Sequence, residues 1–173
     1  PGTKLLCVAG AVPRAGLVEV PFGTTLRRVV EGIAGAPAGR TVAVVTGGPS
    51  GGLIPADLLD TPVQPGTLDA AGAILGAGGV TVVDGALAPL EVARHLTAYN
   101  AAESCGKCTP CREGTARSEA LLASMAGGRG TPADLEQLQE LNETIRLASL
   151  CGLGQAAPNP VTSVLAHFPP NVV

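Results

Sequence analysis

Four cysteines constrain this chain more than any other feature of its sequence. Cys105, Cys108 and Cys111 form a C-x2-C-x2-C pattern, and Cys151 follows much later in the chain. A short loop with this spacing can present three thiolates toward one point while a distant segment closes the site. A [4Fe–4S] cluster takes four ligands, and cysteine thiolate is the usual one. The spacing therefore indicates an iron–sulfur site.

The residues around the three clustered cysteines suit such a loop. Gly106 permits a sharp turn, and Pro110 makes the loop rigid before the third cysteine. Lys107 and Arg112 place positive charge beside a cluster that four thiolates make anionic, and backbone N–H groups of such loops help to set the reduction potential. We therefore count Ser104, Gly106, Lys107 and Arg112 as supporting residues of the site.

Two other uses of the four cysteines stay open on spacing alone. A structural zinc site would also take four thiolates, although zinc ligands usually come as two separated C-x2–4-C pairs. A disulfide framework fits less well, because the chain has five cysteines, an odd number, and shows no secretory signal. The fifth cysteine, Cys7, lies on a predicted strand, and we expect it to be a small buried hydrophobic residue rather than a ligand.

Composition excludes several classes of protein. The formal charge of -3 argues against a nucleic-acid-binding surface, and the sequence has no run of about 18 apolar residues that could span a membrane. Clustered unpaired cysteines without a secretory signal favour a reducing compartment, so we expect a cytoplasmic protein, or one peripheral to a membrane complex. The chain is 46% hydrophobic but only 2% aromatic, so its core must be built from aliphatic side chains.

The first half of the chain predicts a small module of strands and one helix. Apolar and β-branched runs separated by turn residues predict a strand, a returning strand, a helix and a third strand over residues 4–12, 17–20, 24–33 and 41–45. This is the order of a β-grasp (ubiquitin-like) domain, and a further strand is predicted at residues 80–83. Residues 47–52 and 76–79 are rich in glycine. They lack the order of elements that nucleotide-binding loops need, so we interpret them as tight turns with positive φ.

The second half predicts four helices around the cysteine site. Pro89 suits the first residue of a helix whose apolar stripe would be Val92, Leu96 and Tyr99. Three more helices are predicted over residues 116–125, 131–148 and 159–168, and Thr131 would cap the second of these. The predicted fold is therefore α+β, with a β-grasp domain at residues 1–88 followed by a four-helix iron–sulfur domain at residues 89–173.

Two motifs carry a resemblance to a known family. One reads Ser-Cys-Gly-Lys-Cys-Thr-Pro-Cys-Arg-Glu-Gly from Ser104, and the other reads Ser-Leu-Cys-Gly-Leu-Gly-Gln-Ala-Ala-Pro-Asn-Pro-Val from Ser149. They resemble the NADH-binding flavoprotein subunit of respiratory NADH dehydrogenase and its soluble relatives. The second motif is more similar to the soluble branch, the diaphorase (beta) subunits of NAD-dependent formate dehydrogenases and NAD(P)-linked hydrogenases. The resemblance runs from the first residue to about His167.

The resemblance implies an electron-transfer role. The first unit would be a soluble-ligand-binding β-grasp domain. Cys105, Cys108, Cys111 and Cys151 would hold one [4Fe–4S] cluster that exchanges single electrons between flavin and downstream iron–sulfur centres. FMN and NAD(H) would belong to a missing domain or a partner chain, because nothing in this sequence looks like the family's glycine-rich nucleotide loops. Other partners would be a thioredoxin-like 2Fe-2S subunit and further iron–sulfur subunits.

We therefore expect a fragment or a split subunit that is not catalytic by itself. The sequence shows no nucleophile–base pair and no paired carboxylates with a reason to do chemistry, so we identify no catalytic residue. The alternative is a binding or scaffolding module with structural zinc at the four cysteines. Colour and labile sulfide distinguish the two, because a zinc site has neither.

Overall fold

The computed structural model describes residues 2–171 of the chain. The chain divides into two units, Pro1–Leu87 and Ala88–Val173, which we call the sheet unit and the helical unit. Within the described residues, the sheet unit holds five β-strands and the helical unit holds five α-helices. The expected order, a strand-rich first half followed by a helical second half, is therefore present.

The strands of the sheet unit form one mixed sheet. They are β1 Thr3–Gly10, β2 Gly16–Pro21, β3 Ala43–Thr46, β4 Gly52–Pro55 and β5 Gly79–Val83. Their order across the sheet is β2-β1-β5-β3-β4. Strand β1 pairs antiparallel with β2 and parallel with β5, and β3 pairs antiparallel with both β4 and β5.

The core of the sheet unit is aliphatic, as its composition requires. Leu6 and Val8 on β1 are buried, and they pack in one cluster with Leu26, Val29 and Val30. The last three belong to a helical segment that includes a π-helix at Arg28–Ile33. Burial of these side chains removes apolar surface from water, and this is the main favourable contribution to folding of the unit.

The outward-facing residues of β1 correct one prediction. Cys7 is exposed, so the expectation of a buried hydrophobic residue was wrong. Successive side chains of a strand point to opposite faces, and the buried face of β1 already carries Leu6 and Val8. Cys7 therefore lies on the other face, in the sheet unit, whereas the other four cysteines belong to the helical unit.

The glycine-rich segments are turns, as predicted. Gly47, Gly48, Gly76 and Gly78 all have positive φ, from 49 to 100°. At Gly76 a Cβ would lie 2.9 Å from the Gly47 carbonyl oxygen, so both the dihedral angle and the space favour glycine. The sequence prediction missed β4, because that strand begins with glycine and ends with proline. Proline is tolerated there because β4 is an edge strand.

The helical unit contains more helix than the sequence predicted. Its helices are α1 Pro89–Ala102, α2 Thr109–Ala126, α3 Pro132–Ala148, α4 Gly152–Ala156 and α5 Asn159–His167. The prediction of four helices is wrong, because the short α4 was not predicted. Helix α2 begins at Thr109, seven residues before the predicted start at residue 116. None of the helices in residues 2–171 combines the length and the apolar character needed to cross a membrane.

The buried face of α1 is shifted by one position along the helix from the predicted stripe of Val92, Leu96 and Tyr99. Ala93, Thr97 and Asn100 are buried, whereas Tyr99 is 53% exposed. Helix α1 packs against α2 and α5. Small side chains on α1 allow helices to approach closely, and this packing selects a face that hydrophobicity alone does not indicate.

The apolar core of the helical unit is small. One buried cluster consists of Leu121, Leu122, Met125, Leu138 and Val161, and Ile145 and Val164 are buried as well. Polar side chains are buried in the same unit and bond to one another or to the backbone. For example, Asn142 Nδ2 donates to Ser118 Oγ at 3.2 Å and to the Leu138 carbonyl at 2.8 Å. Satisfied polar groups of this kind contribute less to stability than the apolar side chains that could replace them.

Helix α3 begins with a capping box, as the sequence predicted. The Thr131 hydroxyl accepts a hydrogen bond from Asp134 N, and Asp134 Oδ2 accepts one from Thr131 N at 3.0 Å. Hydrogen bonds from the Thr131 side chain and then its backbone hold the pKa of Asp134 below its usual range. A carboxylate with a lowered pKa stabilises the fold above its ordinary pKa, and that stabilisation is lost as the pH falls through the lowered value.

Thr131→Ala should destabilise α3 by about 1 kcal/mol, the usual cost of an N-cap. The variant should also raise the pKa of Asp134 toward its ordinary value, because the side-chain hydrogen bond is lost. Urea unfolding at neutral pH and an NMR titration of Asp134 measure the two effects. Thr144→Ala is the matched control, since Thr144 is an exposed threonine inside α3 whose hydroxyl donates to the Glu140 carbonyl rather than to a helix-capping group. An equal decrease in the free energy of unfolding of the two variants would contradict the capping role of Thr131.

Candidate metal centre

Cys105, Cys108 and Cys111 lie at the junction between α1 and α2. Helix α1 ends at Ala102, Cys105 lies in the short connection, and Cys108 is the N-cap of α2. Cys111 is in the first turn of α2, not in a loop as the sequence analysis assumed. Proline is favoured in the first turn of a helix, so Pro110 helps to start α2 before the third cysteine rather than to stiffen a loop.

The helical position of Cys111 explains the two-residue spacing from Cys108. Residues three apart on a helix lie on the same face, so the N-cap and the first turn direct both side chains to one side. The fourth cysteine is placed in the same way, because Cys151 is the N-cap of α4. Helix α3 and the two residues after it bring Cys151 back to the site.

All four predicted ligands line one cavity. Its volume is about 110 Å³, and it is lined by Glu103, Ser104, Cys105, Lys107, Cys108, Cys111, Cys151 and Leu153. We call it the cysteine cavity. Cys111 is 5% exposed and forms the closed side, whereas Cys105 and Cys151 are exposed and form the open side. The site is therefore anchored in protein on one side and accessible on the other.

A single-ion site and a [4Fe–4S] cluster need different spacings of their ligands. Within residues 2–171, no three side chains of the metal-binding types converge closely enough to hold one metal ion. Ligands of one zinc ion all lie within about 2.3 Å of it, and so close to one another. In a [4Fe–4S] cluster each thiolate binds a different iron, and the sulfur atoms stand further apart.

Hydrogen bonds fix the connection that carries Cys105. Gly106 has a φ of 75° and donates its N–H to Ser104 Oγ at 3.3 Å. Ser104 Oγ in turn lies 3.3 Å from Cys111 Sγ. Because that hydroxyl already accepts from Gly106, its own hydrogen is available to the sulfur. Ser104 and Gly106 thus act together at the closed side of the cysteine cavity.

The two basic residues of the motif have different environments. Lys107 lines the cysteine cavity, where its charge opposes the charge of the thiolates. Arg112 Nη1 donates to the Gly106 carbonyl at 2.6 Å, and Arg112 Nε pairs with Glu113 at 2.8 Å. The Arg112 guanidinium therefore holds the turn at Gly106, and Glu113 balances part of its charge.

The pKa of the Cys108 thiol is lowered. The backbone N–H of Leu150 contributes most and that of Cys111 next, the Ser149 hydroxyl contributes less, and burial acts in the opposite direction. Hydrogen bonds to a thiolate stabilise the charged form, which is the form that binds iron. Ser149 and Leu150, which precede Cys151, therefore favour the thiolate form of Cys108.

Ser149 is a site residue that the sequence analysis missed. It is 5% exposed, and its hydroxyl has no hydrogen-bond partner among residues 2–171, although it is near enough to favour the Cys108 thiolate. A Cβ on Gly154 would overlap that hydroxyl and lie 3.1 Å from Cys111 Cβ. Only the proximity of Ser149 to Cys151 in the sequence could have drawn attention to it, and proximity alone says nothing about hydrogen bonding.

Together these residues fit a [4Fe–4S] cluster. Four thiols line one cavity, backbone N–H groups donate to the Cys108 sulfur, and the nearby Ser149 hydroxyl has no hydrogen bond of full geometry within residues 2–171. Each feature suits an anionic group with several sulfur acceptors. A disulfide would use none of the surrounding donors.

Comparisons with known proteins agree with this fit. Residues 91–173 match the family described as the NADH-ubiquinone oxidoreductase-F iron-sulfur binding region. The chain is 43% identical to HndC, a subunit of the NADP-reducing hydrogenase of Solidesulfovibrio fructosivorans, over 96% of this chain and 34% of the relative. It is 41% identical to the F 2 subunit of the NADH-quinone oxidoreductase of Rhizobium meliloti, over 97% of this chain and 40% of the relative.

A solved structure shares the fold. The crystal structure of an NAD+-reducing [NiFe]-hydrogenase in the H2-reduced state aligns with a TM-score of 0.84 and 41% identity, over 96% of this chain and 28% of that chain. The chain thus spans between about a quarter and two fifths of the length of these relatives. The comparisons do not support a structural zinc site. Residues 91–173, just under half of the chain, are thus similar to the NADH-ubiquinone oxidoreductase-F iron–sulfur binding region.

Proposed function

We propose that the chain is the electron-transfer segment of an NAD(P)H-linked, FMN-containing oxidoreductase subunit. Cys105, Cys108, Cys111 and Cys151 hold one [4Fe–4S] cluster, and single electrons pass between a flavin and downstream iron–sulfur centres at this site. The observation that carries the proposal is the meeting of the four thiols at one cavity. The family match over the same half of the chain supports the identity of the cofactor.

The residues of the site supply position and environment. When bound, the [4Fe–4S] cluster supplies one-electron oxidation and reduction. The backbone amide of Leu150 and the Ser104 hydroxyl favour negative charge on the ligand sulfurs, and Lys107 adds positive charge. The closed side at Cys111 limits the access of water, whereas the exposed side at Cys105 and Cys151 is where another redox group can approach.

The remaining parts of the enzyme belong to other segments or chains. We place the FMN and NAD(H) sites in a further domain or a partner chain, since the relatives are more than twice as long as this chain. Residues 1–88 serve as a soluble-ligand-binding β-grasp domain, and residues 89–173 form the cluster domain. The partners are a thioredoxin-like 2Fe-2S subunit and other iron–sulfur subunits in a cytoplasmic complex, and this chain is not catalytic by itself.

Reduction by flavin and by NADH tests this proposal. The chain with its cluster, held under argon, is mixed with excess photoreduced FMN, and the visible absorbance is followed. We expect bleaching that corresponds to about one electron per chain. NADH alone should cause no bleaching, because the hydride must first reach a flavin.

A cluster that stays oxidised in the presence of reduced FMN, but is reduced by dithionite, would contradict electron exchange with flavin. Rapid bleaching by NADH without flavin would contradict the assignment of the nucleotide sites to other segments. Cys7→Ser serves as a control for surface thiol chemistry, since Cys7 is exposed and lies on β1. It should behave as the wild type does.

A further inference from the structure

The Ser149 hydroxyl is buried without a visible partner. Its residue is 5% exposed, and its Oγ makes no hydrogen bond of full geometry within residues 2–171, although it lies near enough to Cys108 to lower the pKa of that thiol. A hydroxyl removed from water is unfavourable unless a hydrogen bond replaces the lost one. A buried hydroxyl without a full hydrogen bond next to a binding site indicates that a group bound in the site accepts its hydrogen.

The backbone of Ser149 is held from both sides. Its N–H donates to the Ile145 carbonyl at 3.2 Å, and its carbonyl accepts from Gln155 Nε2 at 3.1 Å. These bonds tie Ser149 to the end of α3 and to α4. The hydroxyl therefore cannot reach solvent by a shift of the backbone alone without breaking them.

The absence of a side chain at Gly154 lets Ser149 lie close to Cys111. Gly154 is buried, and a Cβ at this position would lie 2.5 Å from Ser149 Cβ, 3.1 Å from Cys111 Cβ and in overlap with the hydroxyl. The side chains of Ser149 and Cys111 therefore meet over the bare Cα of Gly154. Cys111 is a lining residue of the cysteine cavity, so Ser149, which does not itself line the cavity, lies beside its closed side.

We propose that the Ser149 hydroxyl donates a hydrogen bond to a sulfur of the cluster at its Cys108–Cys111 side, and that this bond raises the reduction potential. The inference rests on the proposed function. Reduction adds negative charge to the cluster, and a donor to sulfur stabilises the more negative state. Ser104 provides one hydroxyl donor at Cys111, and Ser149 provides a second from the opposite segment.

Ser149→Ala tests the inference by a measurement that does not depend on activity. An EPR-monitored redox titration of the full chain with its cluster should show a lower midpoint potential in the variant. At the wild-type midpoint we expect the ratio of reduced to oxidised cluster to fall about tenfold, which is about 59 mV for a one-electron couple. Iron and sulfide content should stay at the wild-type level.

Ser118→Ala is the matched control. Ser118 is fully buried, lies on α2 two turns beyond Cys111, and accepts a hydrogen bond from Asn142. Its removal also deletes a buried hydroxyl from the helical unit and should lower stability, but it should leave the potential unchanged. A potential shift of equal size in both variants would contradict a specific role for Ser149.

A second pair of variants separates hydrogen bonding from packing. Ser149→Thr and Ser149→Val have nearly the same shape, and only threonine keeps the hydroxyl. We expect a higher potential with threonine, and an exchangeable proton coupled to the cluster in ENDOR spectra that is absent with valine. Equal potentials in a pair that binds the cluster would overturn the inference alone. A wild-type chain that binds no iron and sulfide after reconstitution would overturn the proposed function as well.

Discussion

Replacing Cys108 with serine should reduce the iron content of the chain to less than about a tenth of the wild-type value. Loss of a partner that only supports a metal ligand already costs about 10–100-fold in affinity, and loss of a ligand costs more. Cys108 also occupies a central place, because it is the N-cap of α2 and its thiolate is stabilised by the backbone of Leu150 from across the cavity. Iron and labile-sulfide analysis after anaerobic purification measures the effect.

Cys7→Ser is the control for this variant. It removes one thiol from the same chain, but Cys7 lies on β1 in the sheet unit, outside the set of residues that line the cysteine cavity. The Cys7 variant should keep its iron, sulfide and brown colour. Equal loss of iron in the two variants would mean that iron is bound by thiols in general and not by the four-cysteine site.

Removal of the cluster should also destabilise the helical unit. The apolar core of this unit is small and aliphatic, and it is accompanied by buried polar side chains such as Asn142 and Ser118. A cluster bound by all four cysteines would join the segment from Cys105 to Cys111 to the N-cap of α4. A metal site that exists only in the folded state adds its binding free energy to the stability of the fold.

We therefore expect chelation of the iron under argon to lower the melting temperature of the helical signal by about 10 °C or more. In a unit of this size about 1 kcal/mol already shifts the melting temperature by about 4–8 °C. Far-UV circular dichroism at 222 nm follows the helices, and reconstitution with iron and sulfide should restore the original value. A melting temperature unchanged by removal of the cluster would show that the helices fold without it.

Three of the four candidate ligands could be identified from the sequence because their pattern is local. The spacing of Cys105, Cys108 and Cys111 is explained by a cap and one helical turn, and the capping box at Thr131 likewise involves residues three apart. Such features depend on backbone geometry over a few residues, so a pattern in the sequence carries them. The glycine turns were predicted for the same reason.

The sequence predictions were wrong for elements whose structure depends on tertiary packing. Hydrophobicity favours Tyr99 for the buried face of α1, but the neighbouring helices select a face of small and polar residues instead. Helix α4 has five residues, two of them glycine, and a segment with so low a helix propensity is formed by its surroundings. Thr109 and Pro110 are a start signal for α2, and attention to that signal would have placed Cys111 on a helix.

Ser149 shows what a sequence pattern cannot supply. Nothing in the residue type separates it from other serines of the helical unit, such as Ser118, which is buried and has a partner. The distinction depends on which atoms surround each hydroxyl and on the missing Cβ of Gly154. Hydrogen-bond satisfaction is a property of the assembled site, so only the structure reveals it.

The cofactor content of the wild-type chain tests the central claim most directly. The chain is purified without oxygen, reconstituted if it is colourless, and analysed for iron, sulfide and zinc, with an EPR spectrum after reduction by dithionite. We expect about four irons and four sulfides per chain and an S = 1/2 signal from the reduced cluster. A colourless protein that binds one zinc ion tightly, and takes up no iron or sulfide on reconstitution, would contradict the account.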